Sequence, residues 1–367
     1  MGSVPAIRCI PSSNRAPTLW RRFSSINFSM QTNWRFVLPA AIALTASTVR
    51  AQDTQIRGFA DVTYRTGSKG TPAPAFGLGQ YDLFITSKLT PQFRFIGETV
   101  FEYDGEGFIV DVERVIVSYT PREWFKVGAG KHHTPIGFWN NAYHHGAVMQ
   151  PTIERPLMFK FEDEGGVLPI HTVGLLLSGN NIGVAHLTYD FLIGNGIGST
   201  PISDNNRSNS YTAALRSQIT STLEVGISGY TDRAGIGTVN LAGDTLALNM
   251  TQRMFGGFVS YLGAKNELIA EYQRVMNRSE GARSHDTDAM FIYAGHRIGR
   301  FVPYVRYDML GYQPGDPYFA VNDTKMALVG GRYDFGPMTT VKLEGRRRDA
   351  QDIGVTRDLV AQVAIGF

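Results

Sequence analysis

The chain has 367 residues, 18% of them charged and 40 of them glycine, with 35 Lys and Arg against 32 Asp and Glu. It holds no run of 18 or more apolar residues, which excludes a transmembrane helix but not a membrane barrel, whose strands hide their apolar residues in alternation. Six of the bases (Arg8, Arg15, Arg21, Arg22, Arg35, Arg50) and no acid fall in the first 51 residues, leaving 29 bases against 32 acids beyond them, so the basic balance is no pointer to nucleic acid.

At the N-terminus, Phe36 to Ala46 is a short apolar stretch preceded by Arg35 and followed by Val49-Arg50-Ala51. That order of base, apolar core and small residue predicts a signal peptide over residues 30–51, starting at Met30 and cut near Ala51. Residues 1–29 precede it as an upstream leader of unclear status, either an over-long start or a genuine extra segment. The single cysteine, Cys9, is removed with this region, so the exported chain cannot use disulfides.

From Gln55 onward the pattern has period two, the signal of a half-buried strand. Ile56, Gly58, Ala60, Val62 and Tyr64 alternate with Arg57, Asp61, Thr63 and Arg65. Sixteen strands are predicted, near 55–66, 78–89, 91–103, 108–120, 123–131, 169–178, 181–190, 209–219, 222–231, 251–263, 266–276, 288–299, 302–310, 323–334, 337–346 and 357–367. Tight turns at Thr90-Pro91, Pro121-Arg122, Gly179-Asn180, Thr220-Ser221, Ala264-Lys265, Arg300-Phe301 and Gly336-Pro337 alternate with connections that, except for 104–107, are long. Sorting of loops by side is the pattern of an outer-membrane barrel, and closure is forced because an unpaired backbone amide in lipid costs several kcal/mol. Tyr64, Tyr103, Tyr119, Tyr189, Tyr230, Tyr261, Tyr272, Tyr333 and Phe367 stand near strand ends, as interfacial aromatic girdles would. The last strand closes on Phe367, which resembles the signal read by the outer-membrane barrel assembly machinery.

The longest connection, 132–168, follows the fifth strand and is the third external loop. Its aromatic and apolar content (Phe138, Trp139, Tyr143, Met149, Leu157, Met158, Phe159, Phe161) needs a wall to pack on, and the barrel interior is the natural one. A pore constriction is therefore expected from Lys126, Lys131, His132, His133, His144, His145, Arg155, Lys160, Glu162, Asp163 and Glu164. Histidine with carboxylate can bind zinc or copper, but adjacent His pairs point apart in an extended chain and no HExxH or CxxC spacing occurs. The expectation is polar lining, with no metal site and no cofactor.

On the strands with clear alternation the inward bases are Arg57, Arg65, Lys88, Arg94, Lys126, Arg306, Arg332, Lys342 and Arg346. The inward acids are Asp61, Asp82, Glu98, Glu102, Glu267, Glu271, Asp308, Asp334 and Glu344. The lumen is thus balanced, and charge rings set a pore's sign. Asp111, Glu113 and Arg114 crowd both faces of one strand. No nucleophile elbow or P-loop occurs, and Gly194-Asn195-Gly196-Ile197-Gly198 lacks dinucleotide spacing, so no enzyme is expected.

The stretch Val127-Gly-Ala-Gly-Lys131-His-His-Thr-Pro-Ile-Gly137, with the strand spacing and the C-terminal strand, resembles the phosphate-selective porin family. The resemblance implies a trimeric barrel passing anions. That family's phosphate specialists use an arginine ladder and a lysine cluster, which the balanced lumen here does not repeat. Together these features predict an all-β, transmembrane antiparallel β-barrel of about 16 strands over residues 52–367, with the third external loop folded inward. The predicted role is passive diffusion of small hydrophilic solutes or ions across the bacterial outer membrane. Outer-membrane lipid, the assembly machinery, such solutes and a homotrimer are the expected partners. The alternatives are a loop-plugged ligand- or metal-binding barrel and an outer-membrane enzyme.

Overall fold

The computed structural model describes residues 53–68, 73–103, 107–144, 146–161, 164–200, 202–319 and 323–367. The predicted leader and signal peptide, and the predicted constriction residues His145, Glu162 and Asp163, lie outside the described residues. Sixteen strands run in order: β1 Asp53–Gly67, β2 Ala75–Lys88, β3 Phe93–Tyr103, β4 Phe108–Arg122, β5 Phe125–His133, β6 His171–Ile182, β7 Leu187–Gly194, β8 Ser210–Gln218, β9 Leu223–Ala234, β10 Met250–Leu262, β11 Asn266–Ser279, β12 Ser284–His296, β13 Phe301–Tyr312, β14 Thr324–Gly336, β15 Thr339–Ala350 and β16 Gly354–Gly366. Each pairs antiparallel with its sequence neighbours, and β1 pairs with β16, so the sheet closes into a barrel.

Alternation sets the two faces. Val305, Leu343, Leu359, Val363 and Ile365 are exposed on the outside, while Arg306, Glu344, Val360 and Gln362 are buried inside. Closure ends on Phe367, whose amide donates to the Gly58 carbonyl at 2.9 Å while the Gly58 amide donates to the Phe367 carbonyl at 2.7 Å. A side chain at Gly58 would meet the Phe367 ring at 2.3 Å. The missing Cβ is what lets that ring lie over the seam and stack on Tyr81, centroids 6.1 Å apart.

Two short turns repeat one device. The Thr90 hydroxyl accepts the Phe93 amide at 3.0 Å, and Thr220 accepts the Leu223 amide at 3.0 Å, a side-chain substitute for a backbone turn bond. The turn predicted at Gly179-Asn180 lies further along, between Ile182 and Leu187, where Gly183 and His186 take positive φ, as does Asn181 at the end of β6. At the other end the strands run further than expected, shrinking two connections to 280–283 and 351–353. Tyr230 is corrected: it is buried inside the barrel, because tyrosine suits either face of a strand.

β4 resolves the crowding seen in the sequence. Glu98 pairs with Arg114 and Thr99 with Val112, which leaves Glu113 as an extra residue in a bulge. Val112 and Val115 are exposed on the outside, so Glu113 and Arg114 both turn inward. A bulge re-aims a side chain in this way at the expense of one unpaired residue.

Candidate functional site

The connection 134–170 enters the barrel. β5 reaches it through Gly130, where φ is +143° and a Cβ would stand 1.8 Å from the Val115 carbonyl oxygen. Helix α1 (Trp139–Ala142) and a turn of 3-10 helix at Leu157–Phe159 give the inserted loop its shape. Ile136, Trp139, Met158, Phe159, Leu168 and Ile170 are at most 1% exposed. They pack against inward apolar residues of the wall, among them Met254, Phe258, Ile269, Phe291 and Leu328. Trp139 meets Phe291 edge-on, centroids 5.7 Å apart. The barrel thus has a hydrophobic core inside it along β9–β14, and a smaller apolar cluster where Val148 of the loop meets Phe59 and Ala364 of β1 and β16.

The loop also carries backbone amides and carbonyls into the interior, and buried ones must find partners. Charged wall residues supply them. Glu271 accepts the Phe138 and Trp139 amides at 2.8 and 2.7 Å. Gly137, at φ +72°, makes that turn with no Cβ to strike the carboxylate. Asp308 accepts the Leu157 amide at 3.0 Å and Glu344 accepts the Ile153 amide at 2.7 Å. Arg306 donates to the Thr152 hydroxyl and the Glu154 carbonyl at 2.5 and 2.6 Å, and pairs with Asp308 at 2.9 Å. Lys342 donates to the Ala147 carbonyl at 2.5 Å. Glu271, Arg306, Asp308, Lys342 and Glu344 were expected to line an aqueous lumen. Each is at most 3% exposed, and they are anchors of the loop instead.

What the loop leaves open is a polar cleft of about 570 Å³ bounded by β1–β3 and β14–β16, beside the apolar packing and toward the end of the barrel with the long connections. Its bases are Arg65, Arg155, Lys160, Arg346 and Arg348, and its acids Asp61, Glu102, Glu154, Glu164 and Asp358. Arg346 bridges the wall to the loop, 2.7 Å from Glu154 and 2.5 Å from Glu344; Arg65 also pairs with Glu154. Burial alone would raise the Glu154 carboxyl, but the cations of Arg346, Lys160 and Arg65 overcome it and hold the group far below its ordinary value. Burial pulls the Arg155 guanidinium down to about 10, against the opposing acids Glu113 and Glu164.

The remaining predicted residues divide. Arg155, Lys160, Glu164, Glu102 and Arg346 line the cleft. Glu98 is buried and bound to Arg114 at 2.5 Å. Lys131 lies 3.5 Å from Asp111, and Arg332 pairs with Glu267 at 2.9 Å. Arg57 and Arg94 are exposed on strand positions toward the short-turn end, and Lys126 pairs in register with Ser178 at that same end. Lys126 is therefore not part of the constriction, because it stands at the start of β5 while the loop leaves from its end; Arg57 and Arg94, expected as lumen lining, stand at that same short-turn end away from the cleft. His132 is buried against the backbone of Gly128 and Gly174. His133, His144 and His171 converge, each offering a ring nitrogen within 4.8 Å of the others. Of these three, His171 was outside the predicted constriction set; Arg65 and Asp61 were expected only as inward strand charges and Asp358 was not expected, because the loop's position decides which lumen side chains line the cleft.

Solved structures with this arrangement are several. An anion-selective porin from Comamonas acidovorans superposes with a TM-score of 0.63 at 11% identity, covering 86% of this chain and 100% of that one. The trimer form of OmpT, an outer membrane protein of Vibrio cholerae, gives 0.60 at 14% over 86% and 100%. Salmonella typhi OmpF in complex with daunomycin gives 0.59 at 12% over 86% and 97%. This is the porin fold. No family model matches the chain, and no curated protein does. Identities this low carry the fold alone, so the porin barrel is a scaffold on which the cleft must be read from its own residues.

Proposed function

We propose that the protein is a passive diffusion channel of the bacterial outer membrane, not an enzyme, admitting small hydrophilic solutes or ions with weak charge preference. One observation carries this reading. The inserted loop is sealed to the β9–β14 wall by apolar packing and to β11, β13 and β15 by buried anchors, while a charged cleft with five bases and five acids stays open between the loop and β14–β16 and β1–β3. The apolar outer face, with exposed aromatics such as Tyr64, Tyr103, Phe301 and Tyr333, suits lipid contact. Both arguments support a membrane pore, with the long connections outside the cell and the C-terminal seam as the assembly signal. The balance of charge favours weak selectivity over the phosphate preference that the sequence resemblance implies, since rings of one sign select. A homotrimer is part of the same proposal, by likeness to porins such as the trimeric Vibrio cholerae protein.

Planar-bilayer recording of the folded barrel tests it. Discrete ohmic steps are expected, with a reversal potential close to zero in a tenfold salt gradient. A barrel that stays silent at high protein load overturns the channel reading in favour of a plugged one. A strongly anion-selective reversal potential restores the phosphate reading.

A further inference from the structure

The inserted loop leaves the wall at His133, the last residue of β5, and rejoins it at His171, the first of β6. These two pair directly across the strands. Between them the loop returns His144, just beyond α1, to the same point. The His133 and His144 rings stack with centroids 3.5 Å apart, and the His144 and His171 Nε2 atoms are 2.9 Å apart. The β4 bulge turns Glu113 inward here, placing its Oε2 2.6 Å from His171 Nε2.

The hydrogen-bond network fixes what these nitrogens offer. Asn140 donates its Nδ2 to the Thr134 carbonyl at 2.8 Å, which can only accept. Its Oδ1 therefore faces His144 Nδ1, 2.7 Å away, and that nitrogen must be the one carrying hydrogen. In neutral His144 the Nε2 is then a bare lone pair aimed at His171. The same His171 Nε2 faces the Glu113 carboxylate. Ring nitrogens and a carboxylate thus converge on one point, with His144 oriented by the Asn140 amide as metal-bound histidines commonly are by an outer-shell group.

We infer that His133, His144, His171 and Glu113 form a binding site for a zinc-class divalent transition-metal ion, which fastens the inserted loop to the barrel wall at its neck. Three imidazoles and one carboxylate suit zinc or its neighbours and not magnesium or calcium, which take oxygen ligands. Ligand nitrogens about 3.3 Å apart are what tetrahedral geometry with bonds near 2.0–2.1 Å requires; the His144 and His171 Nε2 atoms stand 2.9 Å apart, and all three histidine donors lie within 4.8 Å of one another. The site is mostly buried, His171 keeping 14% side-chain exposure, so an ion has a way in. Arg114 and Arg155 are the neighbouring cations. The first is already bound to Glu98 at 2.5 Å, and the second lies over the Phe161 ring at 4.2 Å.

The test is calorimetric titration of the chelator-stripped, detergent-folded barrel with zinc chloride. Binding of one equivalent is expected, weakened at least ~10-fold by His144→Gln or His171→Gln and left intact by His186→Gln and His296→Gln, whose side chains are exposed outside the cluster. Magnesium chloride should not compete. Absent binding in the wild-type barrel, or binding equal in the cluster variants, overturns the site. Should those variants fail to fold, judged by heat-modifiable gel migration, cobalt(II) added to the wild-type barrel decides. An intense four-coordinate visible spectrum that zinc displaces supports the assignment; a pale six-coordinate one overturns it. Neither readout uses conductance, so the site and the channel stand or fall separately.

Discussion

Glu154 is where the loop, the wall and the cleft meet. Its carboxylate lies 2.7 Å from Arg346 and also pairs with Arg65, and these cations with Lys160 hold it far below its ordinary value of 4.5 despite burial. A carboxyl depressed on folding adds stability that is complete above the unfolded value and drains away as pH falls through the folded one. The seat of the loop should therefore be firm above about pH 4.5 and weaken in acid. Glu154→Gln should cost about 1–2 kcal/mol near neutrality, less than for a fully enclosed pair because Glu154 keeps contact with water. Urea unfolding followed by Trp139 emission in a Trp124→Phe background measures it. The gap between wild type and variant should shrink from about pH 7 to about pH 3. A gap that stays constant would show that the charge of Glu154 is not what seats the loop.

At the scale of elements, register is held wherever one face must be oily. The β4 bulge makes this testable. Because Glu98–Arg114 and Thr99–Val112 are already aligned on either side of Glu113, deleting Glu113 should leave every other side chain on its present face and the barrel intact. Deleting Ile116, in the regular part of the same strand, should flip one end of β4 and prevent folding. Heat-modifiable migration separates the two, and equal behaviour would refute the register argument. The same logic says what could be read in advance. Period two located sixteen strands, and the apolar content of the long connection foretold its inward fold. Which wall it would choose was not legible, since the lumen was expected to be polar and Ile269, Val275, Val302 and Val360 face it all the same. Nor could spacing place His144 between His133 and His171, because that meeting depends on a loop conformation set by Glu271 and the apolar contacts of Trp139. Tyr230 and the two-faced Asp111–Glu113–Arg114 run were ambiguous for local reasons: one residue type tolerates both faces, and one inserted residue breaks the period.

Across the whole molecule, the interior is divided into a dry half that fixes the loop and a wet half that keeps charge. Charges in the dry half are committed to the loop, so altering them should change folding before it changes transport. Arg65, Glu154 and Arg346 belong to both, since their ion pairs seat the loop at the edge of the cleft; the cleft charges that do not hold the loop are the ones that should tune selectivity. Arg348 lines the cleft from β15 and Glu102 faces it from β3, neither serving as a loop anchor. Arg348→Gln should move the reversal potential toward cations and Glu102→Gln toward anions, by opposite and comparable amounts, since each removes one unit from a balanced set. Both shifts should fade toward 1 M salt, where the screening length falls to about 3 Å. Lys342→Gln, by contrast, strips a buried donor from the Ala147 carbonyl and should lower stability while leaving the sign of selectivity alone. If Arg348→Gln and Glu102→Gln shift the potential in the same direction, or not at all, ions do not cross by this cleft, and the division of the lumen into a structural and a conducting half is wrong.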